Sequence, residues 1–396
     1  MAKELTELGA NDIQIGRRMV SFTGDKAMMY RANFHLRTAI RILKPILHFN
    51  AKDADEIYDI VKRIKWEDYM DVNTSFAVDS VVFSDEFRHS KFVAYRVKDA
   101  IADYFREKEG KRPSVQVTNP DITLHIHIAQ ERCTLSLDSS GESLHRRGYR
   151  QEAVEAPLNE VLAAGMILQT GWTGECDFVD PMCGSGTLPI EAALIARNIA
   201  PGVFRKEFAF EKWADFDQEL FDEIYNDDSA EREFTHHIYG YDIDWKAVNI
   251  ATNNVRAAGL SKDITIEHRD MADFVEPAER AIMVTNPPYG ERITTDDLLG
   301  LYRTIGEMDI HEDARSEVKA SELVRASSHG KPVGIPGEPV EADPALLAGL
   351  IDSIRALEEL KAAASAAQAR ATALFDALTR QEQAAAGLKA DQLGKG

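Results

Sequence analysis

The chain has 396 residues, of which 44% are hydrophobic and 28% charged, and its formal net charge is −20 at pH 7. This length supports several globular segments and excludes a mini-protein held together by disulfides. No apolar run reaches the roughly 18 to 20 residues of a membrane span, and the N-terminus lacks the apolar core of a secretory signal, so we expect a cytoplasmic protein. The three cysteines, Cys133, Cys176 and Cys183, are too few and too scattered for a disulfide framework and indicate a reducing compartment.

The charge is distributed unevenly along the chain. Residues 1–150 carry 24 Lys and Arg against 22 Asp and Glu, whereas residues 151–396 carry 22 against 44. The first part is therefore the better candidate for binding a polyanion. Its candidate basic residues form one group spaced as on a helix face and one group in a loop: Arg37, Arg41 and Lys44, and Arg146, Arg147 and Arg150. An ordinary solvated helix face and loop is the alternative.

The first 150 residues predict a mixture of helices and strands. After a short strand in GRRMVSFTG, residues 28–47 predict an amphipathic helix broken at Pro45. Helices are predicted over 53–64 and 89–110, on either side of a strand over 73–83. A hairpin follows over 122–140. Its histidines, His125 and His127, share one strand face, which is more typical of a surface strand than of a metal site because no further ligand is evident.

From residue 176 onwards, apolar strands alternate with helices. The strand segments are CDFVD, HIYGYDID, ITIEHRD and AIMVTNPPYG, and helical segments follow the first, the second and the fourth of them. This alternation predicts a parallel sheet that binds its ligand at the carboxyl ends of the strands. An aromatic-rich insert over 204–234 separates the first helix from the second strand. We expect that insert to provide packing or a lid rather than a base-stacking platform.

A glycine loop, Asp180 to Thr187 (DPMCGSGT), joins the first strand to its helix. The loop lacks the Gly-Lys-Ser/Thr of a Walker loop, and Pro189 stands where a dinucleotide fingerprint needs its third glycine. The charge of Asp180 would oppose a phosphate but would attract an ammonium or sulfonium group. S-adenosylmethionine (SAM) therefore fits the loop better than a nucleotide does, with a purely structural turn as the alternative.

Carboxylates end the next two strands. Asp242 could accept hydrogen bonds from both hydroxyls of a ribose. Asp270 could accept from an adenine amino group, or it could simply cap a helix.

The fourth strand ends in Asn286, Pro287, Pro288 and Tyr289. The prolines fix the backbone, so the Asn286 amide oxygen and the Pro287 carbonyl could accept from one NH₂ group while Tyr289 stacks on a base. Such a corner would catalyse methyl transfer to an exocyclic amine mainly by orientation. A simple turn is the alternative.

The sequence resembles a bacterial family in which a ferredoxin-like and THUMP RNA-binding region precedes a class I SAM-dependent methyltransferase domain. It resembles in particular the enzymes that methylate guanine N2 of 23S rRNA. The resemblance covers about residues 1–308 and rests on PDITLHIHI, LSLDSSGESLHRRGYR, DPMCGSGTLPIEAALIARNIAPG, GYDID and TNPPYGER. With the loop analysis, it assigns to the cofactor Asp180, Pro181, Cys183, Gly184, Ser185, Gly186, Thr187, Asp242, Asp270 and Asn286, and to the target base Asn286, Pro287, Pro288 and Tyr289.

The resemblance implies an α/β fold, in which an α+β ferredoxin-like and THUMP region precedes a class I Rossmann-like sheet that ends after its fourth strand. The expected segments are a partial ferredoxin-like unit (1–50), a THUMP domain (51–155), an incomplete methyltransferase domain (156–308), a linker (309–342) and a long helical tail (343–396). The tail resembles the N-terminal helical region of actinobacterial proteins associated with HNH endonucleases. We therefore expect a fusion of two fragments, with a tail that could mediate self-association.

These observations predict methyl transfer from SAM to an exocyclic amine of a base in RNA, with guanine N2 of 23S rRNA as the target. Two alternatives stay open. One is an adenine-N6 DNA methyltransferase, because such enzymes share the Asn-Pro-Pro-Tyr motif. The other is a catalytically impaired RNA-binding or interaction protein.

Overall fold

The computed structural model describes residues 1–288, apart from residues 17, 85, 86, 88, 89, 156 and 274–279. The predictions for Tyr289, for the linker over 309–342 and for the tail over 343–396 lie outside the described residues.

The N-terminal elements are α1 (Ala2–Glu7), β1 (Asn11–Gly16), β2 (Met19–Thr23), α2 (Lys26–His35) and β3 (Leu43–Asn50). The strands β1 and β2 form an antiparallel hairpin. The single helix predicted over 28–47 is wrong, because α2 ends at His35 and the next residue, Leu36, has an extended backbone with φ −68° and ψ 122°. The strand β3 follows, and it tolerates Pro45 because β3 is an edge strand with an irregularity between Pro45 and Leu47.

A four-stranded sheet in the order β3-β6-β5-β4 forms the next unit. Its further elements are α3 (Ala54–Lys62), β4 (Phe76–Phe83), α4 (Ser90–Glu109), β5 (Ile122–Ala129) and β6 (Arg132–Asp138), which confirm the predicted helices, strand and hairpin. The strands β4 and β5 are parallel, whereas the other neighbours are antiparallel. Leu124 and Ile126 of β5 point into the core, and His125 and His127 alternate with them on the half-buried face. Within the described part of the chain, no group of three or more His, Cys, Asp or Glu side chains could hold a metal ion.

The second half contains a parallel sheet in the order β10-β7-β8-β9, as the alternation of strands and helices predicts. Its elements are α5 (Glu160–Thr170), β7 (Asp177–Asp180), α6 (Thr187–Ala196), α7 (Gln218–Tyr225), β8 (Ile238–Asp242), α8 (Trp245–Ala257), β9 (Ile264–His268) and β10 (Ala281–Met283). Every residue of α6 is buried, so this helix runs through the core directly after the glycine loop.

The aromatic insert over 204–234 packs against the N-terminal elements. The ring of Phe210 stacks on Tyr30 of α2 with centroids 4.3 Å apart, and Phe221 of α7 meets Phe210 edge-on at 5.1 Å. Phe208 and Phe210 belong to the same hydrophobic core as Phe34 of α2. The packing role that the sequence predicted for this insert is thus confirmed, and the insert joins the parallel-sheet half to the N-terminal half.

Among the described helices, none combines the length and the apolar composition needed to cross a membrane.

Candidate active site

The glycine loop between β7 and α6 is folded tightly against the neighbouring strand. The backbone N–H of Cys183 donates to Tyr241 O of β8 at 2.8 Å, and Gly186 N donates to Cys183 O at 2.8 Å. Gly186, which precedes α6, has φ +81°, and a Cβ there would lie 3.2 Å from Ala251 Cβ of α8. Glycine therefore meets both a backbone and a packing requirement at this position.

A cavity of about 400 Å³ lies at the carboxyl ends of the parallel strands. The ends of β7, β8 and β9 and the residues after β10 all contribute to it. Its size is in the range typical of small-molecule sites. The residues that line it are Val154, Pro157, Leu158, Asp180, Pro181, Met182, Cys183, Gly184, Ser185, Thr187, Leu188, Asp242, Ile243, Arg269, Asp270, Met271, Asn286 and Pro288.

Most residues that the sequence assigns to the cofactor or the target base lie together in this cavity. The lining includes ten of them: Asp180, Pro181, Cys183, Gly184, Ser185, Thr187, Asp242, Asp270, Asn286 and Pro288. Gly186 and Pro287 lie in the same loops without lining the cavity, and Tyr289 is outside the described residues. The glycine loop and the Asn-Pro-Pro corner are neighbours because β10 pairs directly with β7.

Asp180 is a deeply buried carboxyl group at the cavity. Burial, with only 1% of the residue exposed, and to a smaller extent the nearby charge of Asp242 raise its pKa to about 7. The hydrogen bond from Met182 N, at 3.2 Å, acts in the opposite direction. No Lys, Arg or His forms an ion pair with Asp180 in the part of the chain that the structure describes. A ligand cation placed here would favour the ionised form.

Asp242 holds the turn after β8 together. One of its carboxylate oxygens accepts from Gly184 N at 2.9 Å and the other from Asp244 N at 2.9 Å. Each oxygen can accept a further hydrogen bond, so the carboxylate is fixed in place and still able to meet hydroxyl groups in the cavity. Beside it, burial and the charges of Asp180 and Asp242 raise the pKa of the Cys183 thiol well above its usual range. Cys183 is therefore a neutral thiol.

Sequence reasoning missed one wall of the cavity, which Val154, Pro157 and Leu158 provide. Val154 Cγ2 lies 3.7 Å from the point where a Cβ on Gly184 would stand. These residues sit in the polar connection before α5, where no periodic pattern distinguishes them from an ordinary loop.

Arg269 was also missed, although it adjoins Asp270 in the sequence. Its guanidinium lies over the Tyr241 ring, 4.2 Å from the centroid, and bonds to Glu267 at 3.0 Å. Asp270 was predicted to lie at the end of its strand, and this position could have indicated that Arg269 beside it also lies near the cavity.

The three basic residues predicted to share a helix face do not share one. Arg37 follows the end of α2 and is buried, with 7% of the residue exposed. Arg41 forms an ion pair with the buried Asp138, and Lys44 lies in β3, 3.7 Å from Asp215. The helix that would have grouped them ends at His35, so the predicted basic stripe is absent from the structure.

The second basic cluster is divided between the surface and the interior. Arg146 is exposed and pairs with Glu142 at 2.7 Å. Arg147 is buried against Glu191 of α6. Arg150 donates to Leu158 O at 2.9 Å and to Thr187 Oγ1 at 2.8 Å. Arg147 and Arg150 therefore make contacts inside the protein, which their side-by-side positions in the sequence do not reveal.

Three family profiles match consecutive parts of the chain. An RlmL ferredoxin-like domain matches residues 1–43, a THUMP domain matches residues 51–138, and an RMKL-like methyltransferase domain matches residues 147–321.

Similar proteins agree with these matches. The ribosomal RNA large subunit methyltransferase K/L of Syntrophotalea carbinolica is 42% identical to this chain. The match covers 78% of this chain but only 45% of that protein's length. A protein of Synechocystis sp., provisionally named an RNA methyltransferase, is 39% identical, and the match covers 78% of this chain and 81% of that protein. One solved structure is a crystal structure of a provisionally named methyltransferase complexed with S-adenosylhomocysteine (SAH). Its chain is 32% identical in sequence to this one, the match covers 78% of this chain and 82% of that chain, and the TM-score is 0.69.

Proposed function

The chain belongs to the family of THUMP-containing methyltransferases with an RMKL-like catalytic domain, and on that premise we propose that it methylates an exocyclic amine of a base in RNA. The methyl donor is SAM, and the target is guanine N2 of large-subunit ribosomal RNA. One observation carries the proposal: the glycine loop after β7 and Asn286 after β10 line the same cavity of about 400 Å³.

The residues of the cavity fit SAM. Asp180 is a buried carboxyl group whose pKa is raised to about 7, and such a group gains most from a cationic ligand. Asp242, fixed by two backbone N–H groups, would accept from ribose hydroxyls, and Asp270, which lines the same cavity, would accept from the adenine amine. The bound cofactor supplies a methyl group activated by a positively charged sulfur.

The Asn-Pro-Pro corner would orient the target base. The amide oxygen of Asn286 and the carbonyl oxygen of Pro287 accept hydrogen bonds from the exocyclic NH₂ and direct its lone pair towards the methyl carbon. Formation of the new N–C bond would break the S–C bond, whose electrons would stay on sulfur, and the surplus proton would leave to water. Orientation supplies most of the rate, because no strong base is needed. Tyr289, outside the described residues, would stack on the base.

The N-terminal half would hold the RNA. The THUMP match and the charge difference between the two halves of the chain support this assignment. Of the basic residues that the sequence suggested, exposed Arg146 stays a candidate contact, whereas Arg37 and Arg147 are enclosed in the protein. The proposal also includes a cytoplasmic location, where ribosomal RNA is found, and self-association through the tail over 343–396.

Transfer of tritium from methyl-labelled SAM tests this function. The full chain is incubated with 23S rRNA, with other RNA and with duplex DNA, and labelled nucleosides are identified after digestion. We expect label in N2-methylguanosine from 23S rRNA only. Label in N6-methyladenine from DNA would favour the adenine methyltransferase instead, and absence of both SAH binding and transfer would favour an impaired RNA-binding protein.

A further inference from the structure

A single buried amide joins three segments around the cavity. Asn254 of α8 is fully buried, and its side chain makes four hydrogen bonds to the backbone. Its Oδ1 accepts from Gln151 N at 2.9 Å and from Glu152 N at 3.3 Å. Its Nδ2 donates to Glu152 O at 3.0 Å and to Ser185 O of the glycine loop at 2.9 Å. All donors and acceptors of this amide are therefore directed at backbone groups.

These bonds fix two sides of the cavity relative to each other. Gln151 and Glu152 lie just before the wall residues Val154, Pro157 and Leu158, and Ser185 is itself a lining residue. Arg150 holds the same connection at both ends, because it precedes Gln151 and donates to Leu158 O. The wall has no regular secondary structure of its own, so its position depends on such side-chain contacts.

We propose that Asn254 is a positioning residue for cofactor binding, which holds the connecting wall against the glycine loop. The inference rests on the proposed function. Asn254 does not line the cavity and so acts only through the segments that it bonds. An amide is required at this position, because the side chain must accept from two N–H groups and donate to two carbonyls at once.

Asn254→Asp removes the two donated bonds while the shape of the side chain is kept. A carboxylate would still accept from Gln151 N and Glu152 N but would turn an oxygen towards the carbonyls of Glu152 and Ser185. We expect the dissociation constant for SAH, measured by calorimetry on the full chain at pH 8, to rise about tenfold or more. In turnover, KM for SAM should rise while kcat and KM for RNA stay within about twofold.

Asn33→Asp is the matched control. Asn33 of α2 is also buried, and its Nδ2 donates to Met29 O and to Ser139 Oγ, both at 2.9 Å, at a place outside the cavity. Both variants should lower the melting temperature, but only Asn254→Asp should weaken SAH binding. An equal loss of SAH affinity in the two variants would show that Asn254 has only a general structural role, and this result would overturn the inference.

Arg150→Gln tests the same wall if Asn254→Asp does not fold. It removes the bonds to Leu158 O and Thr187 Oγ1, together with the ion pair to Glu160 Oε1 at 3.2 Å, from a side chain that is 18% exposed, and it should also weaken SAH binding. Unchanged SAH affinity in the folded variants would overturn this inference but not the proposed function. If the unaltered chain failed to bind SAH, the proposed function would be overturned as well, so the two failures are distinguishable.

Discussion

Arg147 Nε lies 3.4 Å from Glu191 Oε1, and both side chains are almost completely buried, with 2% and 0% of them exposed. Tyr149 OH donates to the same oxygen at 3.1 Å, while the Arg147 guanidinium also donates to Leu144 O at 2.8 Å and to Arg37 O at 2.6 Å. Glu191 belongs to α6, the helix that starts at the glycine loop. The pair therefore ties the N-terminal half to the helix beneath the cavity.

Glu191→Gln should destabilise the protein strongly. It leaves the buried guanidinium of Arg147 without its counter-charge, which costs on the order of 3 kcal/mol of the free energy of unfolding. Urea denaturation followed by tryptophan fluorescence measures this loss.

A neighbouring ion pair supplies the control for that change. Arg146 and Glu142 are 2.7 Å apart, but both are exposed, so Glu142→Gln should cost roughly 0.5 kcal/mol or less. Similar losses from the two substitutions would contradict the view that burial makes the Arg147 pair important.

Asn286→Ala should separate catalysis from cofactor binding. Loss of the amide acceptor leaves the target amine unoriented, so we expect methyl transfer to RNA to fall about a hundredfold or more. The affinity for SAH should change much less. Asn253→Ala, at an exposed position of α8, is the control and should leave both quantities unchanged. Full activity of the Asn286 variant would contradict the proposed role of the corner.

The affinity for SAM should depend on pH through Asp180. Its carboxyl group has a pKa of about 7 and must ionise to pair with a cation. Binding at lower pH therefore requires loss of a proton, so the SAM affinity should rise with pH up to about 7 and then level off. Calorimetry at a series of pH values measures this profile.

Asp180→Asn should weaken SAM binding above pH 7 and remove this pH dependence. Asp177→Asn is the matched control at the start of the same strand, where the carboxylate accepts from His237 N at 2.9 Å and does not line the cavity. This control should keep the wild-type profile. An unchanged profile in the Asp180 variant would assign the titration to another group.

Gly186→Ala should impair both folding and cofactor binding. The alanine would have to adopt φ +81°, and its Cβ would lie 3.2 Å from Ala251 Cβ, so the loop must shift away from α8. Gly259→Ala shares the backbone strain, with φ +71°, but its Cβ would meet nothing within 4 Å. We expect a cost of about 1 kcal/mol for the control and a larger one, with weaker SAH binding, for Gly186→Ala. Equal thermal shifts would rule out the contact with Ala251 as the cause.

The order of elements in the second half could be predicted because apolar strands alternate there with helices, and each strand ends in a polar or glycine-rich turn. The first 50 residues were harder to interpret. Apolar residues near Ile42 and Leu47 fit a helical spacing, yet β3 forms there because β6 offers an open edge to pair with. Local spacing does not show that a partner strand is available, so tertiary pairing overrode the helical pattern.

The sequence by itself predicted three of the side chains that line the cavity at the ends of the parallel strands. Asp180, Asp242 and Asn286 meet because the carboxyl ends of neighbouring parallel strands share one edge, wherever they lie in the chain. Only the tertiary structure decided the connecting wall, the amide of Asn254 that holds it, and the burial of Arg147. These features depend on which surfaces pack together. The type of a charged or amide residue does not reveal whether its side chain faces water or a buried partner.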